Sequence, residues 1–107
     1  MTDDTHPIQA LDDLVHQKSR LGILAVLAEA DHVTFTYLKK TLHLTDGNLG
    51  RHLEVLENAG YIETDKRFIG RRPQTTMKAT PAGRDAYEAE LDVLRALVQR
   101  TADRRDS

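Results

Sequence analysis

The sequence predicts a mainly helical α+β domain in which several helices come first, a single β-hairpin follows, and a long helix comes last. Three observations predict this class. Apolar residues recur at three- and four-residue intervals over residues 8–59, which is the helical period. After Gly60 the pattern changes to two short β-branched and aromatic runs separated by turn residues. Thr80-Pro81 then opens a final segment with heptad-like apolar spacing.

Length and composition predict one domain over residues 1–107. The chain is 39% hydrophobic and 30% charged, which is typical of a globular protein that buries one core. It has no cysteine, so disulfides and thiolate metal sites are excluded. No apolar run approaches the ~20 residues of a membrane span, and the acidic start MTDDTH is unlike a signal peptide. We therefore expect a cytoplasmic protein that does not enter a membrane.

Two helices are predicted at the start of the chain. The first extends over residues 7–16, with Pro7 in its first turn. The second is capped by Ser19 and continues to about Ala30.

A helix-turn-helix is predicted over residues 34–60. Residues 33–35 are long enough only for an edge strand, and Thr36 is the expected cap of a helix over residues 37–42. Residues 43–45 form a turn, and Thr45 caps a second helix with a leucine stripe. Gly60 ends this helix in the left-handed conformation.

A two-stranded β-hairpin is predicted over residues 61–80, followed by a long helix over residues 81–102. The strands are YIETDKRF and TTMKAT, and the turn is expected within IGRRPQ. The last helix would contain about 22 residues and span ~33 Å. Short helix, turn, longer helix and basic hairpin follow one another as in a winged helix-turn-helix, whose second helix enters the major groove of DNA.

The second helix of the helix-turn-helix has two unexpected glycines, Gly47 and Gly50. Each costs a helix interior about 1 kcal/mol relative to alanine. On a helical projection the leucines lie on the core side, and Gly47 and Arg51 lie on the far side. A missing Cβ at the helix start lets a DNA backbone approach the free N–H groups. Asn48 and Arg51 can pair with base edges. In the alternative interpretation, the glycines relieve a crowded helix-helix contact.

Charge is distributed unevenly along the chain. The formal net charge is −2, and residues 1–15 hold four acids and no Lys or Arg. Residues 66–78 hold only basic charges. Cations at a turn tip can reach a minor groove or phosphates. The predicted DNA-binding residues are Thr45, Gly47, Asn48, Arg51, His52, Lys66, Arg67, Arg71, Arg72 and Lys78. Further candidates are Lys39, Lys40, Val55 and Asn58.

Three motifs occur together and in order: DGNLGRHLEVLENAGYIE at residues 46–63, GRRPQTTMKAT at residues 70–80, and TPAGR at residues 80–84. With them, residues 11–97 resemble small winged-helix regulators related to the multiple-antibiotic-resistance and arsenical-resistance repressor families. The resemblance implies a dimeric transcription factor whose first and last helices form the interface.

The apolar stripe of the last helix also favours a dimer, because one short domain need not cover all of it. The predicted interface residues are Leu11, Leu14, Val15, Tyr87, Leu91, Leu94 and Val98. Two recognition helices related by a two-fold axis would bind a pseudo-palindromic operator. In the alternative, the stripe packs entirely on its own domain.

Other functions find less support. The five histidines are scattered without metal-ligand spacing, so neither a metal nor another cofactor is expected. No phosphate loop or nucleophile motif is present, and we do not expect an enzyme. No polar cluster marks an effector pocket, so whether a small molecule binds stays open. The main alternative is a winged-helix module that binds proteins and not DNA, favoured by Glu54, Glu57, Glu63 and Asp65.

Overall fold

The computed structural model describes residues 6–106 of the chain. Its elements are α1 (Asp13–His16), α2 (Lys18–Glu29), β1 (Val33–Thr34), α3 (Phe35–Leu42), α4 (Asp46–Asn58), β2 (Ile62–Ile69), β3 (Arg72–Ala79) and α5 (Pro81–Asp106). A 3-10 turn, Pro7–Ala10, precedes α1. The predicted mainly helical α+β class with a helix-turn-helix, a wing and a long last helix is confirmed.

The single helix predicted over residues 7–16 is wrong. The chain forms the 3-10 turn, becomes extended at Leu11 and Asp12, and then starts α1. Asp12 causes the interruption, because its carboxylate accepts a hydrogen bond from the Leu14 N–H at 2.9 Å and caps α1. A short carboxylate competes in this way with the backbone bonds of a continuous helix.

Two predicted caps lie at other residues. Gln17, not Ser19, caps α2, since its side-chain oxygen accepts a hydrogen bond from the Arg20 N–H at 2.9 Å. Thr34, not Thr36, caps α3, and its hydroxyl accepts from the Tyr37 N–H at 3.0 Å. Both helices therefore begin one or two residues earlier than expected.

The turn between α3 and α4 depends on His43, which adopts the left-handed conformation with φ 53°. The following Leu44 N–H donates to the Lys39 carbonyl at 3.0 Å and closes α3. Thr45 then caps α4, as predicted, by accepting from the Asn48 N–H at 3.1 Å. Gly60 follows α4 with φ 79°, also as predicted.

The sheet has three antiparallel strands in the order β1-β3-β2, so the hairpin has one strand more beside it than predicted. Val33 pairs with Met77, which makes β1 a true edge strand. Within the hairpin Ile69 pairs with Arg72. The turn is therefore only Gly70 and Arg71, shorter than the predicted residues 69–74, and Gly70 has φ 64° as its first residue.

One apolar core joins α1 to α4 with the base of the sheet. Its side chains are Val15, Ile23, Leu24, Leu27, Val33, Leu38, Leu49, Leu53, Leu56, Ile62, Met77 and Ala79. Val15 is 0% exposed within this core. It cannot contact a partner subunit, so its assignment to the dimer interface is wrong.

The last helix, α5, begins as predicted and ends later than predicted. Pro81 is its first residue, and the Thr80 hydroxyl accepts from the Gly83 N–H at 3.0 Å. It continues to Asp106, four residues beyond Ala102, because none of these residues breaks a helix. The resulting molecule is elongated, 62 × 26 × 23 Å.

Candidate nucleic-acid interface

The α4 helix is docked by its leucines and leaves its opposite side in solvent. Leu49, Leu53 and Leu56 are buried, as the projection predicted. The outward residues are Gly47, Asn48, Gly50, Arg51, Glu54 and Asn58, all exposed. The side predicted to face DNA is therefore accessible over the whole length of the helix.

The two glycines of α4 lie in open space. A Cβ at Gly47 or Gly50 would have no heavy atom within 4 Å. The alternative in which they relieve a crowded helix-helix contact therefore does not hold. Since they lower helix propensity without an internal packing reason, their use is external to the subunit.

The two predicted base-reading side chains contact each other. The Arg51 guanidinium donates to Asn48 Oδ1 at 3.0 Å, one helical turn apart. Asn48 in turn sits over the Thr45 cap through its backbone N–H. The guanidinium keeps four of its five N–H donors for a ligand, and the Asn48 amide keeps both of its own.

His52 lies at the edge of this surface and is half-buried. Its Nδ1 atom is buried and has no hydrogen-bond partner among the described residues. Burial lowers the pKa of His52 below its usual 6.5, and the positive charges of Arg20 and Arg51 lower it further. The imidazole is therefore held neutral, and it can present a hydrogen-bonding Nε2 but not a phosphate-binding charge.

Charge changes sign along α4. Its start carries the small and cationic residues, whereas Glu54 and Glu57 lie exposed further along. Lys39 on α3 is paired with Asp46 at 2.8 Å, while Lys40 is exposed without an ion pair among residues 6–106. An anionic ligand is thus favoured at the N-terminal half of α4.

The five wing cations fall into two groups. Arg67 pairs with Asp65 at 2.6 Å, and Lys78 pairs with Glu63 at 3.4 Å. The other three, Lys66, Arg71 and Arg72, are exposed and form no ion pair within residues 6–106. Sequence reasoning treated all five alike, since the register that places Glu63 opposite Lys78 was not known.

The outer half of the wing extends beyond the core. From Glu63 to Arg71 every residue of β2 and its turn is exposed. A cleft of about 530 Å³ separates this half from the start of α3, and it is lined in part by Phe35, Arg72 and Gln74. Sequence reasoning missed two exposed apolar residues here, Phe68 and Ile69, although both directly precede the glycine of the turn.

The predicted dimer residues differ in exposure. Val98 is 69% exposed, whereas Leu91 and Leu94 are half-buried. Leu14 and Tyr87 pack partly against the core of their own subunit, and Leu11 is half-buried. The exposed part of the stripe therefore lies toward the C-terminal half of α5.

Two further observations concern other ligands and the membrane. No three His, Asp or Glu side chains among residues 6–106 are grouped so that they could hold a metal ion. Within the same residues, no helix is both long and apolar enough to cross a bilayer.

A family model described as a winged helix DNA-binding domain matches residues 19–98, which include the helix-turn-helix, the wing and most of α5. The chain belongs to this family. It is a winged-helix DNA-binding regulator, and its exposed α4 surface and wing are the parts that such a protein presents to DNA.

Similar proteins agree with this assignment. The chain is 46% identical over 69 residues to the uncharacterized protein MJ0432 of Methanocaldococcus jannaschii, covering 64% of this chain and 75% of that protein. A transcriptional regulator homologue from Pyrococcus horikoshii superposes with TM-score 0.82 at 30% identity, covering 89% of this chain and 96% of that one. A putative MarR-family transcriptional regulator from Enterococcus faecalis shares the fold, with TM-score 0.73 at 21% identity and coverage of 99% and 94%.

Proposed function

We propose that the protein is a homodimer that binds a specific, pseudo-palindromic DNA site and represses transcription by occupying promoter DNA. The single observation that supports specific binding best is the accessible start of α4. There an Asn-Arg pair and two glycines without internal packing roles lie beside free helix N–H groups.

In this proposal the roles divide between α4 and the wing. Asn48 and Arg51 read base edges in the major groove, each good bidentate pair discriminating by about 1–3 kcal/mol. Gly47 admits the DNA backbone, and Thr45 and His52 border the contact. Lys66, Arg71 and Arg72 supply the phosphate and minor-groove contacts, because they are not neutralised by neighbouring acids. Arg67 and Lys78 contribute less.

The proposed dimer uses the outer face of α5. Val98 is exposed, and the helix continues to Asp106 as part of a molecule 62 Å long. Packing two such helices around a two-fold axis would bury Val98 with Leu91 and Leu94. It would also set two α4 helices about one DNA turn apart, ~34 Å, as a pseudo-palindrome requires. Repression by occupancy needs no chemistry beyond this binding.

The decisive experiment selects bound fragments from genomic DNA and derives the shared site. Binding to that site is then measured by fluorescence anisotropy for the parent and Arg51→Ala, with mass from light scattering. We expect an inverted repeat, a dimer, and a variant that binds more weakly and has lost preference at one base pair per half-site. A protein that retards no duplex at low salt, or Arg51→Ala that keeps the parent's preference, contradicts the proposal.

A protein-interaction module remains the second candidate, because Glu54 and Glu57 are exposed beside the proposed DNA surface. The other two acids cited for it, Glu63 and Asp65, are paired with Lys78 and Arg67. They therefore place less negative charge near DNA than their number implies.

A further inference from the structure

The tip of the wing carries two large apolar side chains that nothing in the subunit covers. Phe68 is 75% exposed and Ile69 is 62% exposed. The strands are anchored far from them, where Ile62 and Met77 enter the core. Exposed apolar side chains of this size, concentrated at one projecting tip, mark an interaction site more often than a chance surface feature.

The register places the two side chains on opposite faces of the ribbon. Phe68 pairs with Pro73, and Ile69 pairs with Arg72. Since successive residues of a strand point to opposite faces, the tip is apolar on both sides. A flat protein surface would cover only one face, whereas the two walls of a groove would contact both.

The charges around the tip indicate an anionic groove. Arg71 lies in the turn itself, and Lys66 and Arg72 lie within the adjoining strands. None of the three forms an ion pair within residues 6–106. Gly70, which has no side chain, narrows the leading end of the turn. The minor groove of DNA combines negative potential with apolar deoxyribose walls, and it is about 6 Å wide.

We infer that Phe68 and Ile69 pack against the two deoxyribose walls of the minor groove, so that the wing tip reads the groove's shape. The turn enters with Arg71 on the groove floor. There A·T pairs present only acceptors, while guanine N2 would obstruct it. This apolar reading adds a flanking preference to the base contacts of α4. It rests on the proposed DNA binding.

The test uses the selected site with the base pairs beneath the wing changed. Three duplexes carry A·T, G·C or inosine·C pairs there; inosine lacks the minor-groove amino group of guanine. We expect the parent to bind the A·T and inosine·C duplexes about tenfold more tightly than the G·C duplex, which is the size of one strong groove contact. Equal binding to all three would overturn the inference.

A variant pair separates apolar contact from charge. Phe68→Ser/Ile69→Ser should bind the A·T duplex about tenfold more weakly and lose most of the preference, while the slope of affinity against salt is unchanged because no charge is removed. Phe68→Leu/Ile69→Leu should behave like the parent. Thermal unfolding checks that the serine variant is folded, as its exposed positions predict.

The outcomes distinguish this inference from the proposed function. If the parent binds no duplex, both fail. If the parent binds its site and the serine variant binds it equally well with the same flanking preference, only the wing-tip inference fails. If the serine variant keeps full DNA affinity and instead loses self-association in light scattering, the tip is a protein contact and the inference is overturned.

Discussion

Glu90 Oε2 lies 2.7 Å from His16 Nδ1, and the glutamate side chain is 1% exposed while the histidine side chain is 48% exposed. The Asp12 N–H donates more weakly to the other carboxylate oxygen, at 3.4 Å. A buried carboxylate on α5 is thus held by the N-terminal segment. This contact fixes the segment to the long helix, although neither residue was singled out for it from the sequence.

Replacing His16 should destabilise the fold more than replacing Glu90. His16→Ala leaves a buried carboxylate with one weak donor, and we expect a loss of about 1–3 kcal/mol in the free energy of unfolding. Glu90→Met replaces the carboxylate with an apolar side chain of similar length, which costs less. Urea unfolding at one fixed protein concentration measures both. Equal losses for the two variants would contradict this account of the pair.

Gly83 is required by the packing of α5 against the turn before β2. A Cβ at position 83 would overlap the backbone carbonyl of Tyr61, which itself accepts a hydrogen bond from the Thr80 N–H. Because backbone cannot swing aside, Gly83→Ala should cost about 3 kcal/mol or more of unfolding free energy. Gly47→Ala is the matched control, since no atom lies within 4 Å of its Cβ. A Gly83→Ala protein as stable as the control would refute the close approach.

The sequence predicted α4 correctly because its signals are local. Thr45 supplies the cap, and the buried leucines recur at helical intervals within the same segment. Each of these features acts within a few residues, so no knowledge of the rest of the chain is needed. The side of α4 that faces solvent then follows from helix geometry alone.

The sequence could not predict features that depend on distant pairing. Thr34 and Thr36 are both good caps, and Thr34 is used because β1 ends there, where Thr34 pairs with Thr76. The same holds for the cations, since Lys78 meets Glu63 only through the β2-β3 register. Val15 resembles its neighbours in the sequence, and only tertiary packing buries it in the subunit core.

Gly50→Ala should make the protein more stable and a weaker DNA binder. Alanine raises helix propensity by about 1 kcal/mol at an exposed interior position, and no atom obstructs the added Cβ. In the proposed complex, that Cβ occupies the space through which DNA approaches. Urea unfolding and anisotropy on the selected site measure the two effects. A variant with higher stability and unchanged affinity would show that the DNA does not come close to this position.

The stability of the fold should decrease as the pH falls below about 6.5, in part because of His52. Burial, Arg20 and Arg51 lower its pKa in the folded state below 6.5, so the unfolded chain binds the proton more readily. Stability therefore rises with pH between the lowered pKa and 6.5. His52→Gln should remove this part of the slope in urea unfolding between pH 5 and 8. Arg51→Ala should reduce it only partly, because burial remains. An unchanged slope in His52→Gln would assign the pH dependence to other groups.

The two groups of wing cations should differ in how they affect DNA binding. Arg71→Ala and Arg72→Ala should each flatten the slope of log affinity against log salt by about one, since each removes one phosphate contact. Arg67→Ala should change the slope less, because Asp65 already neutralises that guanidinium at 2.6 Å. Asp65→Asn tests the same cause in the opposite direction, since it frees Arg67 and should raise affinity and steepen the slope. Equal effects of Arg67→Ala and Arg71→Ala, with no gain in Asp65→Asn, would mean that these exposed ion pairs do not persist when DNA binds.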